Sequence, residues 1–230
     1  MKTPAESVIK YFVLCNRLKN TIRTGWGEWY AKRDRIESVA EHIYGTQMLA
    51  IAMASEYQYD LDLRKVIFML AIHELGEAVI GDFTPFQIDR AEKEKREHEA
   101  VYKVLAGLLN GEEIEQLFLE FDAHETAESR FAYQCDKLEC DLQCRLYDEE
   151  GCVNLKDGGY DEMANDPKVA KLLESGKSWS EMWLEYSQQT YPYIRIFSRF
   201  LITLCRTRLR IPFPIRSLLN SAGFKKLYAE

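Results

Sequence analysis

The chain has 230 residues, 47% of them hydrophobic and 12% aromatic, with a formal net charge of −7 at pH 7; it reads as an ordinary soluble globular protein. It contains no run of 18 uncharged apolar residues, no secretory signal and no C-x-x-C pair among its six cysteines, which excludes a membrane-spanning helix and points to a reduced, cytoplasmic setting. Residues 191–230 carry eight Lys/Arg and one Glu, net +7, leaving −14 on residues 1–190, and an acidic body argues against binding a nucleic acid polymer.

In chain order the sequence is helix after helix. Glu6–Leu18 has a helical apolar stripe at Val8, Ile9, Phe12, Val13 and Leu18. A polar loop over Lys19–Arg35 holds Arg23, Gly25, Trp26 and Gly27; the tryptophan suits either a ligand rim or a cap on the core. Ser38 is placed to cap a helix over Val39–Glu56 that carries His42 in its first turn. Next comes Val66–Pro85, VIFMLAIHELGEAVIGDFTP, which starts as an apolar helix over Val66–Ile72 and sets His73 beside Glu74, with Glu77 one turn on and Asp82 after Gly81. Three carboxylates and an imidazole so close to a hydrophobic helix require pairing, solvent or a metal to offset their desolvation.

Ile88–Arg96 is a dense charge run expected on the surface, and His98–Leu109 is amphipathic, with a stop signal at Asn110-Gly111. Helices are expected over Glu112–Asp122, Ala127–Tyr147, Pro167–Leu173 and Ser178–Tyr191, with a loop at Asn154–Asn165. The helix over Ala127–Tyr147 places Asp136 among Phe131, Tyr133, Leu138 and Leu142, with Arg130 and Lys137 as its simplest partners. Cys140 and Cys144, four apart, read as packing. No alternating run bounded by turn signals suggests a strand. The fold class is therefore all-α, with one domain over 1–190 and a basic, apolar extension over 191–230. For that extension the sequence leaves open a helix packed on the acidic body, a dimer or partner contact, and an amphipathic membrane contact.

Four separated groups invite one another. His42, the His73-Glu74 pair and Asp136 lie on three helices, and a bundle can bring such residues to one cation. Two imidazoles and two carboxylates suit a borderline divalent metal such as Mn, Co, Fe, Ni or Zn. Such an ion polarises phosphoryl oxygens and acidifies water, and Glu77 and Asp82 are then the natural groups to position water and move protons. A protease zinc helix of H-E-x-x-H type is the competing motif, but its second histidine is Glu77 here.

The order His42, His73-Glu74, Asp136 resembles the HD-domain metal-dependent phosphohydrolases. More narrowly, LKNTIRTGW (18–26), ESVAEH (37–42), HELGEAVIGDFTP (73–85) and CDKLE (135–139) resemble the 5′-deoxynucleotidase branch. The resemblance runs from about Leu14 to Gly159. It implies an HD-domain helical bundle, usually a homodimer, that hydrolyses (deoxy)ribonucleoside 5′-monophosphates with one divalent metal, Mg included among the possibilities. It implies His42, His73, Glu74 and Asp136 as metal ligands, Glu77 and Asp82 as catalytic carboxylates, and Arg23 and Trp26 as substrate-side residues. One position departs from the family: its second metal residue is aspartate where this chain has Glu74, one methylene longer. That difference keeps two alternatives in view, an HD hydrolase of another nucleotide or phosphoester class and a non-catalytic HD scaffold.

Overall fold

Polar residues placed at the helix starts set the boundaries. In the computed structural model, which describes residues 3–158, 161–193 and Phe197, Thr3 and Glu6 form a capping box that opens α1 (Pro4–Cys15), which runs on into a 3-10 turn at Asn16–Lys19. A short α2 (Thr24–Glu28) follows. Ser38 caps α3 (Val39–Tyr57) through a box with Glu41, as its position in the sequence predicts. Asp62 starts α4 (Leu63–Ile72) by accepting from the amides of Arg64 and Lys65. Beyond them lie α5 (Glu77–Ile80), α6 (Arg90–Leu105), α7 (Gly111–Ala123), α8 (Ala127–Glu150), α9 (Asp161–Ala164), α10 (Pro167–Leu173) and α11 (Trp179–Thr190). The described residues form no strand, only an isolated antiparallel bridge between Ile22 and Ser38, so the fold is all-α.

The 24-residue α8 is the axis of the bundle, packed by α3, α4, α7 and α11. One core lies where α3, α4 and α8 meet, around Met53, Val66, Met69, Leu70, Phe131 and Leu138. A second joins α2, the end of α8, α10 and α11 through Trp26, Trp29, Tyr147, Trp179 and Met182. Each large apolar side chain so buried contributes about 1.5–3 kcal/mol before the entropy of ordering it is charged against it.

Three local readings change. The helix that begins at Leu63 does not continue through His73: residues 73–76 form tight turns, with Leu75 N–H donating to Ile72 O at 2.9 Å and Glu77 N–H to Glu74 O at 3.1 Å. The charge run at Ile88–Arg96 and the amphipathic stretch after it are one helix, α6, begun by Asp89. Finally, the apolar stripe of α1 points outward, with Val8, Ile9, Phe12 and Val13 each 56–62% exposed. Among the described residues, no helix is long and apolar enough to cross a membrane. Apart from Tyr191, Pro192, Tyr193 and Phe197, the extension over 191–230 lies outside the described residues.

Candidate metal centre and substrate cavity

The turn after α4 does the gathering. His73 ends that helix with Nδ1 2.9 Å from the carbonyl oxygen of Leu70; a carbonyl only accepts, so Nδ1 carries the proton and Nε2 presents a lone pair. His42, wholly buried on α3, meets the Glu139 carboxylate through Nδ1 at 2.5 Å, which turns its own Nε2 lone pair the same way. The two Nε2 atoms stand 3.4 Å apart. Asp136 Oδ1 lies 3.1 Å from His42 Nε2 and 3.8 Å from His73 Nε2, and Glu74 Oε1 is 3.7 Å from both. All four atoms lie within 4.8 Å of one another.

Four acceptors do not converge in a buried place without a positive charge to bind them. Nitrogen and oxygen donors on a divalent transition metal at bond lengths near 2.1 Å stand about 3 Å apart at right angles, close to the separations found here. The donor set fits one such cation, and Glu74, despite its extra methylene, delivers an oxygen to the same point, 3.7 Å from both imidazole Nε2 atoms. Without a cation, and against burial and the Arg23 charge, Cys140, Glu139 and Asp136 hold the His42 pKa well above the usual histidine value, so a cation at Nε2 would take the place of a proton there. Burial likewise opposes ionisation of Asp136, yet Lys137, His42 and His73 hold its pKa well below the usual range. Glu74, pulled by His73, Arg23 and Lys93 against its own burial, titrates at about 2.

Around this centre the supporting shell is specific. Lys137 Nζ takes the outer oxygen of Asp136, Oδ2, at 2.8 Å and lies over the Tyr133 and Tyr191 rings. Arg130 instead donates to the Glu125 carbonyl, so only Lys137 among the two basic neighbours pairs with Asp136. The Glu139 carboxylate occupies the space that a side chain at Gly45 would fill: a Cβ there would clash with Oε1 and stand 3.0 Å from Cγ.

Arg23 Nη1 reaches Glu74 Oε1 at 3.1 Å and lies 3.8 Å from Asp82 Oδ1, while Nη2 donates to Cys140 Sγ at 3.2 Å. Gly81, at φ +83°, makes the turn that brings Asp82 back, and Thr24 fixes that aspartate: its N–H donates to Oδ2 at 2.5 Å and its hydroxyl to the backbone carbonyl at 2.8 Å. Glu77 is buried, with Oε1 3.5 Å from Lys93 Nζ and Oε2 without a hydrogen-bond partner among the described residues. Burial, then Glu74 and Asp82, push its pKa well above the usual carboxylate value, outweighing Arg23 and Lys93.

A cavity of about 660 Å³ opens over the centre, lined by His73, Glu74, Asp136, Arg23, Asp82 and, farther out, Trp183. Trp26 also borders it but is only 2% exposed; its indole N–H donates to Glu37 Oε2 at 2.8 Å and its ring is stacked on Trp183 at 5.1 Å. Of the two roles the sequence allows this tryptophan, burial supports the cap on the core.

Of the residues the sequence brings forward, the fold gathers the four donors, Arg23 and Asp82, while Glu77 lies buried within reach of Glu74 and Glu97 and is not among the residues lining the cavity. Glu139, Gly45 and Lys93 were missed. Lys93 carried a signal: with Glu97, Ala100, Val101 and Val104 it keeps the three-to-four spacing of an inward face, so the charge run is not wholly solvated.

The chain is similar to known proteins over much of its length. A family model described as HD domain matches residues 15–157. The 5′-deoxynucleotidase hdd1 of Schizosaccharomyces pombe is 27% identical, over 82% of this chain and 94% of its own length. The 5′-deoxynucleotidase HDDC2 of Dictyostelium discoideum is 31% identical, over 63% of this chain and 80% of its own. Among solved structures, a conserved hypothetical protein from Pyrococcus furiosus superposes with a TM-score of 0.56 at 26% identity, over 72% of this chain and 98% of that one.

Proposed function

We propose, from the premise that this chain belongs to the HD-domain family in its 5′-deoxynucleotidase branch, that it is a metal-dependent phosphohydrolase releasing phosphate from deoxyribonucleoside 5′-monophosphates with water as nucleophile. The observation that carries this reading is the convergence of four lone-pair atoms beneath a cavity large enough for a nucleotide. His42, His73, Glu74 and Asp136 would hold one divalent cation, whose chemistry there is the polarisation of a phosphate ester and the neutralisation of its charge. The donor chemistry admits Mn, Co, Fe, Ni, Zn or Mg.

The remaining roles belong to the protein's own side chains. The Arg23 guanidinium, held between Glu74 and Asp82, offers a fork that matches phosphate oxygens. Asp82, fixed by Thr24, orients the attacking water. Glu77, whose ionised form burial opposes and Arg23 and Lys93 favour, would take the water's proton. As the new P–O bond forms and the bond to the 5′ oxygen breaks, that proton passes from Glu77 to the departing 5′ oxygen. Lys93 limits the repulsion among Glu74, Glu77 and Glu97. The exposed stripe of Val8, Ile9, Phe12 and Val13 supports a homodimer, and a single Phe12→Glu change would shift the mass in solution to that of one chain.

The test is a panel of deoxy- and ribonucleoside 5′-monophosphates offered to protein stripped of metal and then given Mn, Co, Mg or Zn. Metal-dependent phosphate release, faster from the deoxy series, supports the reading. A folded protein that releases none with any metal overturns it in favour of another substrate class or a scaffold.

A further inference from the structure

The cavity is larger than a phosphate and its metal require, and its outer part differs in kind from its floor. There Trp183 and Tyr186 of α11 and Phe86 of the loop before α6 line the same space as Asp136 and Glu74. All three are half-buried side chains at the edge of the second core. Phe86 and Tyr186 have ring centroids 6.1 Å apart, inclined at 40°, and Trp183 lies stacked on the buried Trp26 at an interplanar angle of 27°. We propose that Trp183, Tyr186 and Phe86 form the subsite for the nucleobase, an aromatic slot that accepts purines and pyrimidines by stacking while the phosphate lies at the His/acid centre. This rests on the nucleotide-hydrolase reading above and adds where the base goes.

The slot is preorganised. Asp141 of α8 is 4% exposed and accepts from Trp183 Nε1 at 3.0 Å, from Ser187 Oγ at 3.1 Å and from the Tyr193 hydroxyl. Two of these donors, Trp183 and Ser187, tie α11 to α8 only five residues beyond Asp136, so the aromatic wall and the centre are both anchored on α8. A wall fixed in advance costs little ordering on binding. Aromatic side chains bind bases through ring faces, and every base has a π-face to meet them. Trp183 and Tyr186 of α11 lie beyond the residues matched by the HD-domain family model, whereas Phe86 lies within them, so the subsite joins a segment outside that match to the family's centre.

The experiment compares 2′-deoxynucleoside 5′-monophosphates with 2-deoxyribose 5-phosphate, the same ester without a base, using the metal-loaded full chain. The wild type should prefer the nucleotides through a lower KM, with little distinction among bases. Tyr186→Ala and Phe86→Ala should each narrow that preference by about 5- to 150-fold, mostly in KM, the range expected for one base–aromatic stack. A merely structural role would move kcat and KM for both substrates alike. Equal use of nucleotide and sugar phosphate by the wild type, or an unchanged preference in both variants, overturns the subsite. If neither ester is hydrolysed, the hydrolase reading fails, and equilibrium dialysis with 2′-deoxyadenosine decides the slot separately: binding weakened in Tyr186→Ala supports it, and no binding to the wild type overturns it.

Discussion

Gly45 lies one turn after His42 on the same helix, and its lack of a side chain has a measurable consequence. In an exposed helix interior, Gly45→Ala would stabilise by about 1 kcal/mol. Here the new Cβ would collide with Glu139 Oε1 and stand 3.0 Å from Cγ, so Glu139 must withdraw from His42 Nδ1. Loss of a carboxylate that orients a ligating histidine typically costs about 10- to 100-fold in metal affinity, or roughly 1.4–2.8 kcal/mol, in line with one charge-assisted hydrogen bond. The assay is titration of metal-stripped protein with Mn(II), free ion read by electron paramagnetic resonance, with thermal unfolding in parallel. Gly45→Ala should stay folded and bind Mn(II) 10- to 100-fold more weakly. Because the effect runs through Glu139, Gly45→Ala/Glu139→Ala should bind no worse than Glu139→Ala alone. Wild-type affinity in Gly45→Ala, or losses that add in the double variant, would show that Glu139 does not act on the metal through His42.

Other expectations follow from the same geometry. Glu77→Ala should keep its bound metal but lose turnover by at least about 100-fold, whereas His73→Ala should lose both; metal analysis beside phosphate release separates the two. Glu74→Gln removes an anionic donor and should weaken Mn(II) binding by at least about 10-fold while the fold persists by circular dichroism. Asp141, pushed up by burial to about 7 despite its donors Tyr193, Ser187 and Trp183, is protonated in the folded chain where the unfolded chain has already ionised. Its contribution therefore declines as pH rises from about 4 to about 7, by up to roughly 4 kcal/mol, and is flat above. Denaturant unfolding of wild type and Asp141→Asn across that range should show a difference that shrinks the wild type's relative stability as pH rises; parallel curves contradict the assignment.

Much of the centre was legible in the sequence because its chemistry is costly to bury. His42, His73, Glu74 and Asp136 stand out as polar groups within apolar helices, and their order in the chain pairs them. Gly81 before Asp82 likewise declares a turn. What sequence pattern could not supply was contact between distant elements. Glu139 matters because Gly45, on another helix, leaves it room, and neither residue signals the other along the chain. Lys93 was hidden in a run of charges whose inward face only the packing of α6 picks out. The stripe of α1 obeys the helical period yet faces outward, since periodicity tells which residues share a face and not what covers it. The break at 73–76 carries no Gly or Pro ahead of His73; its only signal along the chain is Gly76, which packs against the backbone of Glu97.

If the four inward-facing donors hold the cation on which hydrolysis depends, bound metal and turnover must rise together. Mn(II) titrated into metal-stripped protein, with bound metal and phosphate release from a deoxynucleoside 5′-monophosphate followed in the same samples, reads both. Release should rise in step with the first tightly bound equivalent, and His73→Ala should show neither. Release without bound metal, or a tight first equivalent retained in His73→Ala, would contradict that dependence.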